Sequence, residues 1–278
     1  MSEVIISAKD VKALRDQTGA GMMDCKAALA EAEGDFEKAI EILRKKGQKL
    51  SLKRADRDAK EGVVIAKVNE NGTRGVVVRL SCETDFVAKN EDFVSMTERI
   101  ANIALNTWSS DKEALLTQDI GGITIADKIT EQVGVIGEKI ELADYEKIEA
   151  PQVCSYIHMG NKAGVIVGLS LSGEQFTEAG RDVAMQIAAM KPVAVNKDGV
   201  SQSVIDKEIE IGKEIARQEG KPEAMLEKIA LGKLNKFFKE STLLEQSFVK
   251  DSKQSVDQYL RGINKELTVT DFKHIMLG

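Results

Sequence analysis

Hydrophobic residues recur at helical spacing through the first fifty positions, and capping residues and glycines divide them into three segments. Ser7, with Asp10 three residues later, forms the capping-box pattern that begins a helix. Gly19 interrupts the first helix and Gly34 ends the second, since glycine is favoured just beyond a helix C-terminus. Asp35 then caps a third amphipathic segment. The pattern predicts a bundle of three helices of about ten residues each.

After residue 60 the hydrophobic spacing changes to two, which is typical of strands. Two such runs, 62–68 and 74–82, flank the dipeptide at 71–72, and Asn-Gly between strands is a strong hairpin signal. A helical pattern follows from Asn90 to residue 105. We therefore predict a hairpin followed by a helix.

The same unit recurs later in the chain. The run GVVVRLS at 75–81 aligns with GVIVGLS at 164–170, at an offset of 89 residues. Each run is preceded by a strand pattern and a loop, and each is followed by a loop and a helical pattern. The core is therefore predicted to contain two copies of a hairpin-plus-helix unit.

A pair of helical patterns at about 201–240 is separated by a short break. Gly220 ends the first helix and Pro222 begins the second, which is the usual asymmetry of helix ends. Gly212 and Gly232 are expected to let the two helices approach closely. This segment is predicted to form an antiparallel helical hairpin that could protrude as a coiled coil.

Two regions have less regular patterns. Residues 109–150 favour two short helices and strands near 139–143 and 146–148. In the tail, a helix is expected around 253–261 and a strand within 266–276.

Together these elements predict an α+β fold with three regions. Residues 1–55 would form the three-helix bundle and a basic linker, and residues 56–150 a first core subdomain. Residues 151–278 would form a second core subdomain, which includes the helical hairpin and a C-terminal segment at 250–278.

Composition excludes several protein classes. The apolar runs are far shorter than the roughly 18–20 residues of a membrane span, and the first six residues lack the basic and apolar regions of a signal peptide. The three cysteines, Cys25, Cys82 and Cys154, are far apart, which fits a reducing compartment and predicts buried thiols without a zinc site. We expect a cytoplasmic protein.

Charge is unevenly distributed along the chain. The formal net charge is −6, but residues 44–57 carry +6, which leaves −12 for the remainder. An acidic body disfavours a dedicated nucleic-acid binder, because Lys and Arg contacts to phosphates supply most nonspecific affinity. Because no aromatic residues interrupt the basic stretch, it is interpreted as a solvated helix end and linker, with RNA contact as the alternative.

The sequence offers little material for an active site. It has two histidines, and neither belongs to a recognisable nucleophile motif. The glycines of the run GAGMMD at 19–24 precede a helix, but no Gly-Lys-Ser/Thr follows, so a phosphate-binding loop is disfavoured. We expect no catalytic residues, no bound metal and no cofactor, and we infer that the protein is not an enzyme.

One short segment stands out because only 4% of the chain is aromatic. Thr84, Asp85, Phe86 and Val87 lie at the predicted junction between the second strand and the following helix. An exposed phenylalanine there would suit a binding anchor, with Asp85 capping the turn or accepting hydrogen bonds from a partner. Alternatively, Phe86 folds back beneath the helix and Asp85 is only a cap. Thr-Asp-Phe also occurs at 270–272, so the tripeptide alone is weakly specific.

Several longer motifs resemble one family, the bacterial elongation factor Ts proteins. The motifs include LRDQTGAGMMDCKAALAEAEGDFEKAIEILRKKG, CETDFVAKNEDF, SYIHMGNKAGVIVGL, AAMKPVAV and QEGKPEAMLEKIALGKLNKFFKE. The resemblance runs nearly from end to end of the chain.

This resemblance implies a nucleotide exchange factor for elongation factor Tu in its GDP-bound state. It also implies an N-terminal bundle similar to ubiquitin-associated domains, then two related subdomains with a coiled-coil protrusion. In the family, the segment that matches Thr84, Asp85, Phe86 and Val87 dislodges Mg²⁺ from the partner's nucleotide site.

The resemblance also implies individual residues that contact the partner. In the family, the N-terminal bundle contacts the partner through residues that match Arg15, Met22 and Met23. His158, in its hairpin loop, matches a residue that touches a second domain of the partner. No membrane and no direct nucleic-acid contact is implied.

Two functions from other classes remain as alternatives. An interaction adaptor would bind a partner without accelerating nucleotide release. An RNA-binding ribosomal accessory protein would use the basic residues at 44–57 and would bind RNA with a steep salt dependence.

Overall fold

The computed structural model describes residues 6–278, and the chain divides into two compact units. The first unit contains the described residues up to Ile65, with Val78–Tyr145 and Met276–Gly278; the second contains Ala66–Val77 and Glu146–Ile275. The predictions for the first five residues, which concern the signal peptide and the start of the first region, lie outside the described residues.

The first unit contains seven helices among its described residues. They are α1 (Ala8–Thr18), α2 (Met22–Glu31), α3 (Phe36–Arg54), α4 (Asp85–Ala88), α5 (Glu91–Thr107), α6 (Lys112–Leu116) and α7 (Ile125–Ile136). The predicted capping box of Ser7 and Asp10 is present, and Gly19 ends α1 in the left-handed conformation. The predicted three-helix bundle is therefore confirmed, with a small core of apolar side chains that includes Leu14 and Leu29.

The third helix is longer than predicted, because it continues through Gly47 for 19 residues. Gly47 does not end the helix; it allows close packing against α7. A Cβ atom at this position would lie 2.8 Å from the carbonyl oxygen of Thr130, and one at Gly134 would lie 3.1 Å from the Gly47 Cα. Most of the basic stretch, which was interpreted as a solvated helix end and linker, is thus helical and belongs to the end of α3.

The predicted first hairpin is confirmed by β1 (Glu61–Val68) and β2 (Arg74–Cys82). Gly72 in the loop has a φ of +71°, which glycine adopts without strain. The strand β3 (Ile140–Glu149) completes a three-stranded sheet in the order β1-β2-β3. It is a single ten-residue strand, where the sequence predicted two shorter ones.

The second predicted unit of hairpin and helix is also confirmed. The strands β4 (Gln152–His158) and β5 (Ala163–Leu169) pair antiparallel, and α8 (Thr177–Met190) packs against both. The sheet order is β4-β5-β8, with β8 at Val269–Met276. The fold is therefore α+β, as the sequence predicted.

The helical hairpin consists of α9 (Gln202–Gln218) and α10 (Glu223–Ser241). At Gly212, an added Cβ would lie 3.1 Å from the Ala230 Cα, so the predicted close approach is confirmed there. The same prediction for Gly232 is wrong, because a Cβ at that position would meet nothing within 4 Å.

After α10 come two short strands, β6 (Ser247–Phe248) and β7 (Asp251–Ser255), followed by α11 (Val256–Ile263). The predicted tail helix thus starts three residues later than expected, at a capping box formed by Ser255. All three cysteines are buried, as predicted. Within residues 6–278, none of the helices has the length and apolar character needed to cross a membrane.

Candidate functional site

The strand-to-helix junction after β2 forms a tight, well-capped turn. β2 ends at Cys82, and the four-residue helix α4 begins at Asp85. The side chain of Thr84 caps α4 by accepting a hydrogen bond from the Val87 backbone N–H at 3.5 Å. Asn90 then caps α5, as the sequence predicted.

Phe86 is the most exposed large hydrophobic residue of this turn, with 83% of its surface accessible to solvent. The alternative in which its ring folds beneath the helix is therefore wrong. A ring this exposed contributes little to the stability of the chain itself, and burying it elsewhere would release about 1.5–3 kcal/mol. The turn thus presents one large apolar side chain to solvent.

Asp85 does not cap the turn, which corrects one of the roles predicted for it. Its carboxylate pairs with the Lys89 ammonium at 2.6 Å, one helical turn later. This hydrogen bond and charge raise the pKa of Lys89. Thr84 is the better cap because its hydroxyl precedes the first helical residue, which is the capping position.

The residues just before the turn are held by the carboxylate of Glu138. Its Oε2 accepts hydrogen bonds from the backbone N–H groups of Glu83 at 3.1 Å and Thr84 at 3.0 Å. Its Oε1 accepts the Thr84 hydroxyl at 2.6 Å. One side chain therefore fixes two consecutive residues at the base of the turn.

The carboxylate of Glu83 makes a complementary set of contacts. It accepts hydrogen bonds from Arg54 at 2.7 Å, from Arg57 at 2.9 Å and from the backbone N–H of Lys139 at 2.6 Å. Burial opposes ionisation of this group, but the hydrogen bonds from Lys139 and the two arginines outweigh it and lower the pKa of Glu83 to about 2. The C-terminal end of α3 is thereby tied to the junction.

Cys82 adds a weaker contact, since its thiol donates to the Thr84 carbonyl oxygen at 3.2 Å. Burial, together with the charge of Glu138, raises the pKa of Cys82 to about 12. The thiol stays protonated at neutral pH, so it acts as a packed donor and not as a nucleophile.

Sequence reasoning missed both Glu83 and Glu138 as parts of this site. Glu138 lies 55 residues beyond Glu83, and no spacing rule connects the two. The available signal was local: Gly137 ends α7 with a φ of +81°, which turns the chain immediately before Glu138.

The other predicted contact residues of the first unit lie at the start of the bundle. Arg15 is exposed on α1, and Met22 and Met23 form the exposed first turn of α2, with 44% and 76% of their surfaces accessible. Exposed methionines are adaptable apolar contacts. Their role in binding stays a prediction.

His158 belongs to the second unit, whereas the other predicted residues belong to the first. It is the last residue of β4 and pairs with Ala163, so it precedes the hairpin loop instead of lying within it. The reason is that Met159, with a φ of +53°, begins the turn. The His158 ring is half-buried, and its Nδ1 lies 3.0 Å from the Tyr156 hydroxyl.

The basic stretch at 44–57 is largely neutralised by the chain's own carboxylates. Five of its seven basic side chains form ion pairs: Arg44 with Glu131, Lys45 with Glu41, Lys46 with Asp24, and Arg54 and Arg57 with Glu83. The stretch therefore offers less free positive charge than its sequence indicates.

Comparison with known proteins shows the family of this chain. Residues 83–278 match the family described as Elongation factor TS. Relatives named Elongation factor Ts include one from Christiangramia forsetii, 57% identical over 98% of this chain and 99% of its own length. Others come from Flavobacterium psychrophilum, at 55% identity, and Cytophaga hutchinsonii, at 52%, with the same coverage of both chains. The chain therefore belongs to the elongation factor Ts family.

Proposed function

We propose that this protein is the nucleotide exchange factor of elongation factor Tu. It binds the GDP-bound GTPase, accelerates the release of GDP and lets GTP bind in its place. No covalent bond of a substrate is made or broken, so the protein is not an enzyme. The observation that carries the proposal is the exposed Phe86 ring on a turn held by side-chain and backbone hydrogen bonds.

In this proposal, residues 84–87 act as a wedge. Phe86 enters an apolar pocket between helices of the GTPase, and Asp85 accepts hydrogen bonds from donors that the ring disturbs. The GTPase then loses the geometry that holds its Mg²⁺, and the β-phosphate of GDP loses its counter-charge. GDP consequently dissociates faster.

Burial of the Phe86 ring alone supplies too little free energy to account for a large change in GDP affinity. If the factor weakens GDP binding by some ratio, GDP must weaken binding of the factor by the same ratio. A thousandfold change corresponds to roughly 4 kcal/mol, whereas burying one phenylalanine supplies about 1.5–3 kcal/mol. Further contacts must therefore anchor the complex, and we assign these to Arg15, Met22, Met23 and His158.

The decisive experiment measures release of a fluorescent GDP from elongation factor Tu by stopped flow at increasing concentrations of this protein. Phe86→Ala should lower the maximal release rate by about 10- to 100-fold, because the lost burial is worth about 1.5–3 kcal/mol. Complex formation should weaken much less, since the anchoring residues are unchanged.

Leu52→Ala provides a matched control, because Leu52 is also highly exposed, at 79%, and lies in the same unit. It should leave the release rate unchanged. A wild-type maximal rate in Phe86→Ala at saturating concentration would refute the wedge.

The same assay separates the other two functions. An adaptor would bind elongation factor Tu without accelerating GDP release. An RNA-binding accessory protein would leave the release rate unchanged and would bind RNA with an affinity that falls steeply with salt.

A further inference from the structure

Resting on the proposed function, we infer that Glu138 is a positioning residue for nucleotide exchange, because its carboxylate sets the direction in which Phe86 projects from the surface. Glu138 itself need not touch the partner. It acts through the backbone of Glu83 and Thr84, the two residues that precede the turn carrying the ring.

The turn needs such support because α4 has only four residues. An isolated single helical turn is unstable in water, since nucleation fixes several dihedral angles for one hydrogen bond. The capping residue Thr84 must therefore be held from outside. Glu138 does this with three acceptor contacts, two to backbone N–H groups and one to the Thr84 hydroxyl. The hydroxyl contact also fixes the side-chain rotamer that caps the Val87 N–H.

Glu138 is itself held firmly. It follows the left-handed Gly137 at the end of α7, and the next residue, Lys139, donates its backbone N–H to the Glu83 carboxylate. The two glutamates thus hold each other's segments. The Glu138 carboxylate accepts the backbone N–H of Glu83, and the Glu83 carboxylate accepts the backbone N–H of Lys139, next to Glu138. The close packing of α7 against α3 at Gly47 supports the same region.

This arrangement predicts a specific kinetic effect. When the turn is preorganised, the partner meets the ring in its productive orientation and no ordering is required at that moment. When Glu138 is removed, the ring samples other directions, so the maximal rate of GDP release falls. The concentration needed for half-maximal release should change little, because the anchoring residues lie elsewhere.

The test compares Glu138→Ala and Glu138→Gln with the control Glu141→Gln. Glu141 is an exposed carboxylate nearby that pairs with the side chain of Lys139. In the fluorescent-GDP assay, Glu138→Ala should lower the maximal rate by about tenfold, which corresponds to about 1.4 kcal/mol. Glu138→Gln keeps one acceptor oxygen and should retain an intermediate rate. The control should behave as wild type.

A double-variant cycle with Phe86→Ala distinguishes positioning from general stability. If Glu138 acts through the ring, adding Glu138→Gln to Phe86→Ala should change the maximal rate by less than about twofold. Hydrogen exchange of the Glu83 and Thr84 amides should be faster in both Glu138 variants, which reports loss of the local contacts.

The outcomes separate this inference from the function on which it rests. If the wild-type protein does not accelerate GDP release, the proposed function and the positioning role both fail. A second outcome is that the wild type accelerates GDP release and Glu138→Gln does so equally well, although its Glu83 and Thr84 amides exchange faster. In that case only the positioning role fails. An equal loss of rate from Glu138→Gln with and without Phe86 would also overturn it.

Discussion

At the scale of single residues, two glutamates with opposite environments define the junction. Glu83 is paired with two arginines, whereas Glu138 accepts hydrogen bonds from a neutral backbone and a hydroxyl. Glu138 satisfies donors of the turn itself, and Glu83 satisfies donors of the segments around it. Loss of either group should therefore cost more than loss of an exposed ion pair, which is typically worth 0–1 kcal/mol.

Stability should depend on the ionisation of Glu83. Its pKa is about 2 in the folded protein, against 4.5 as its ordinary value. The folded value is depressed, so its contribution is fully present above pH 4.5 and is lost as the pH falls towards 2. Glu83→Gln should lower the free energy of unfolding at pH 7 by about 2–3 kcal/mol.

Urea unfolding at several pH values, followed through the single tryptophan, checks this expectation. The difference between wild type and Glu83→Gln should shrink steadily below pH 4.5. A difference that stays constant down to pH 2.5 would show that ionisation of Glu83 does not stabilise the fold.

The sequence offered an exposed Phe86 ring as one of two alternatives, and it did not indicate the contacts that support the turn. Low aromatic content and the position of Phe86 beside a helix cap were visible locally. The contacts of Glu138 depend on how the chain returns to the junction after 55 residues, which no local pattern encodes. Asp85 was assigned a capping role that belongs to Thr84, an error of one residue in a four-residue helix.

At the scale of elements, glycines inside helices have two different roles. Gly47 lies against the backbone of α7, whereas Gly232 in α10 has open space where a side chain would be. The sequence alone does not show which glycine packs against another helix and which faces open space, because both interrupt a helical pattern in the same way. The third helix, predicted at about ten residues, has 19 because Gly47 packs against α7 and does not end it.

This difference predicts opposite effects of the same substitution. Gly232→Ala should stabilise the protein by up to about 1 kcal/mol, since alanine is the better helix former. Gly47→Ala should destabilise it by about 1–2 kcal/mol, because the new methyl group would lie 2.8 Å from the Thr130 oxygen and the helices must move apart. Thermal unfolding of the two variants provides the comparison, and equal stabilisation by both would contradict the packing described for α3 and α7.

Regular elements were predicted well where the hydrophobic period was clear. Both hairpin-plus-helix units and the helical hairpin follow the sequence pattern closely. Within 109–150 the two helices were also expected, but β3 was divided in two because Asp144 and Tyr145 interrupt the alternation. Strand pairing overrides such a local break, since β3 forms hydrogen bonds with β2.

At the scale of the whole molecule, the proposed contacts are distributed over both units. Met23 belongs to the first and His158 to the second. Residues that anchor a complex without taking part in the wedge should affect affinity and leave the maximal rate unchanged. The region boundaries at 55 and 150 remain predictions.

Met23→Ala and His158→Ala test this division. Each should raise the concentration needed for half-maximal GDP release by about 3- to 10-fold, the range for a moderate contact residue. If the two residues act independently, the double variant should show roughly the product of the two effects. A reduced maximal rate in either single variant would mean that the residue contributes to displacement of GDP as well as to binding.

The paired charges at 44–57 have a consequence for the surroundings in which a translation factor works. Binding to RNA is favourable largely because basic side chains release the cations that surround phosphates. Five of the seven basic residues at 44–57 already have a carboxylate partner within the chain. We therefore expect an encounter with ribosomal or transfer RNA to free few ions, so that polyanions in the surrounding solution would retain the protein only weakly.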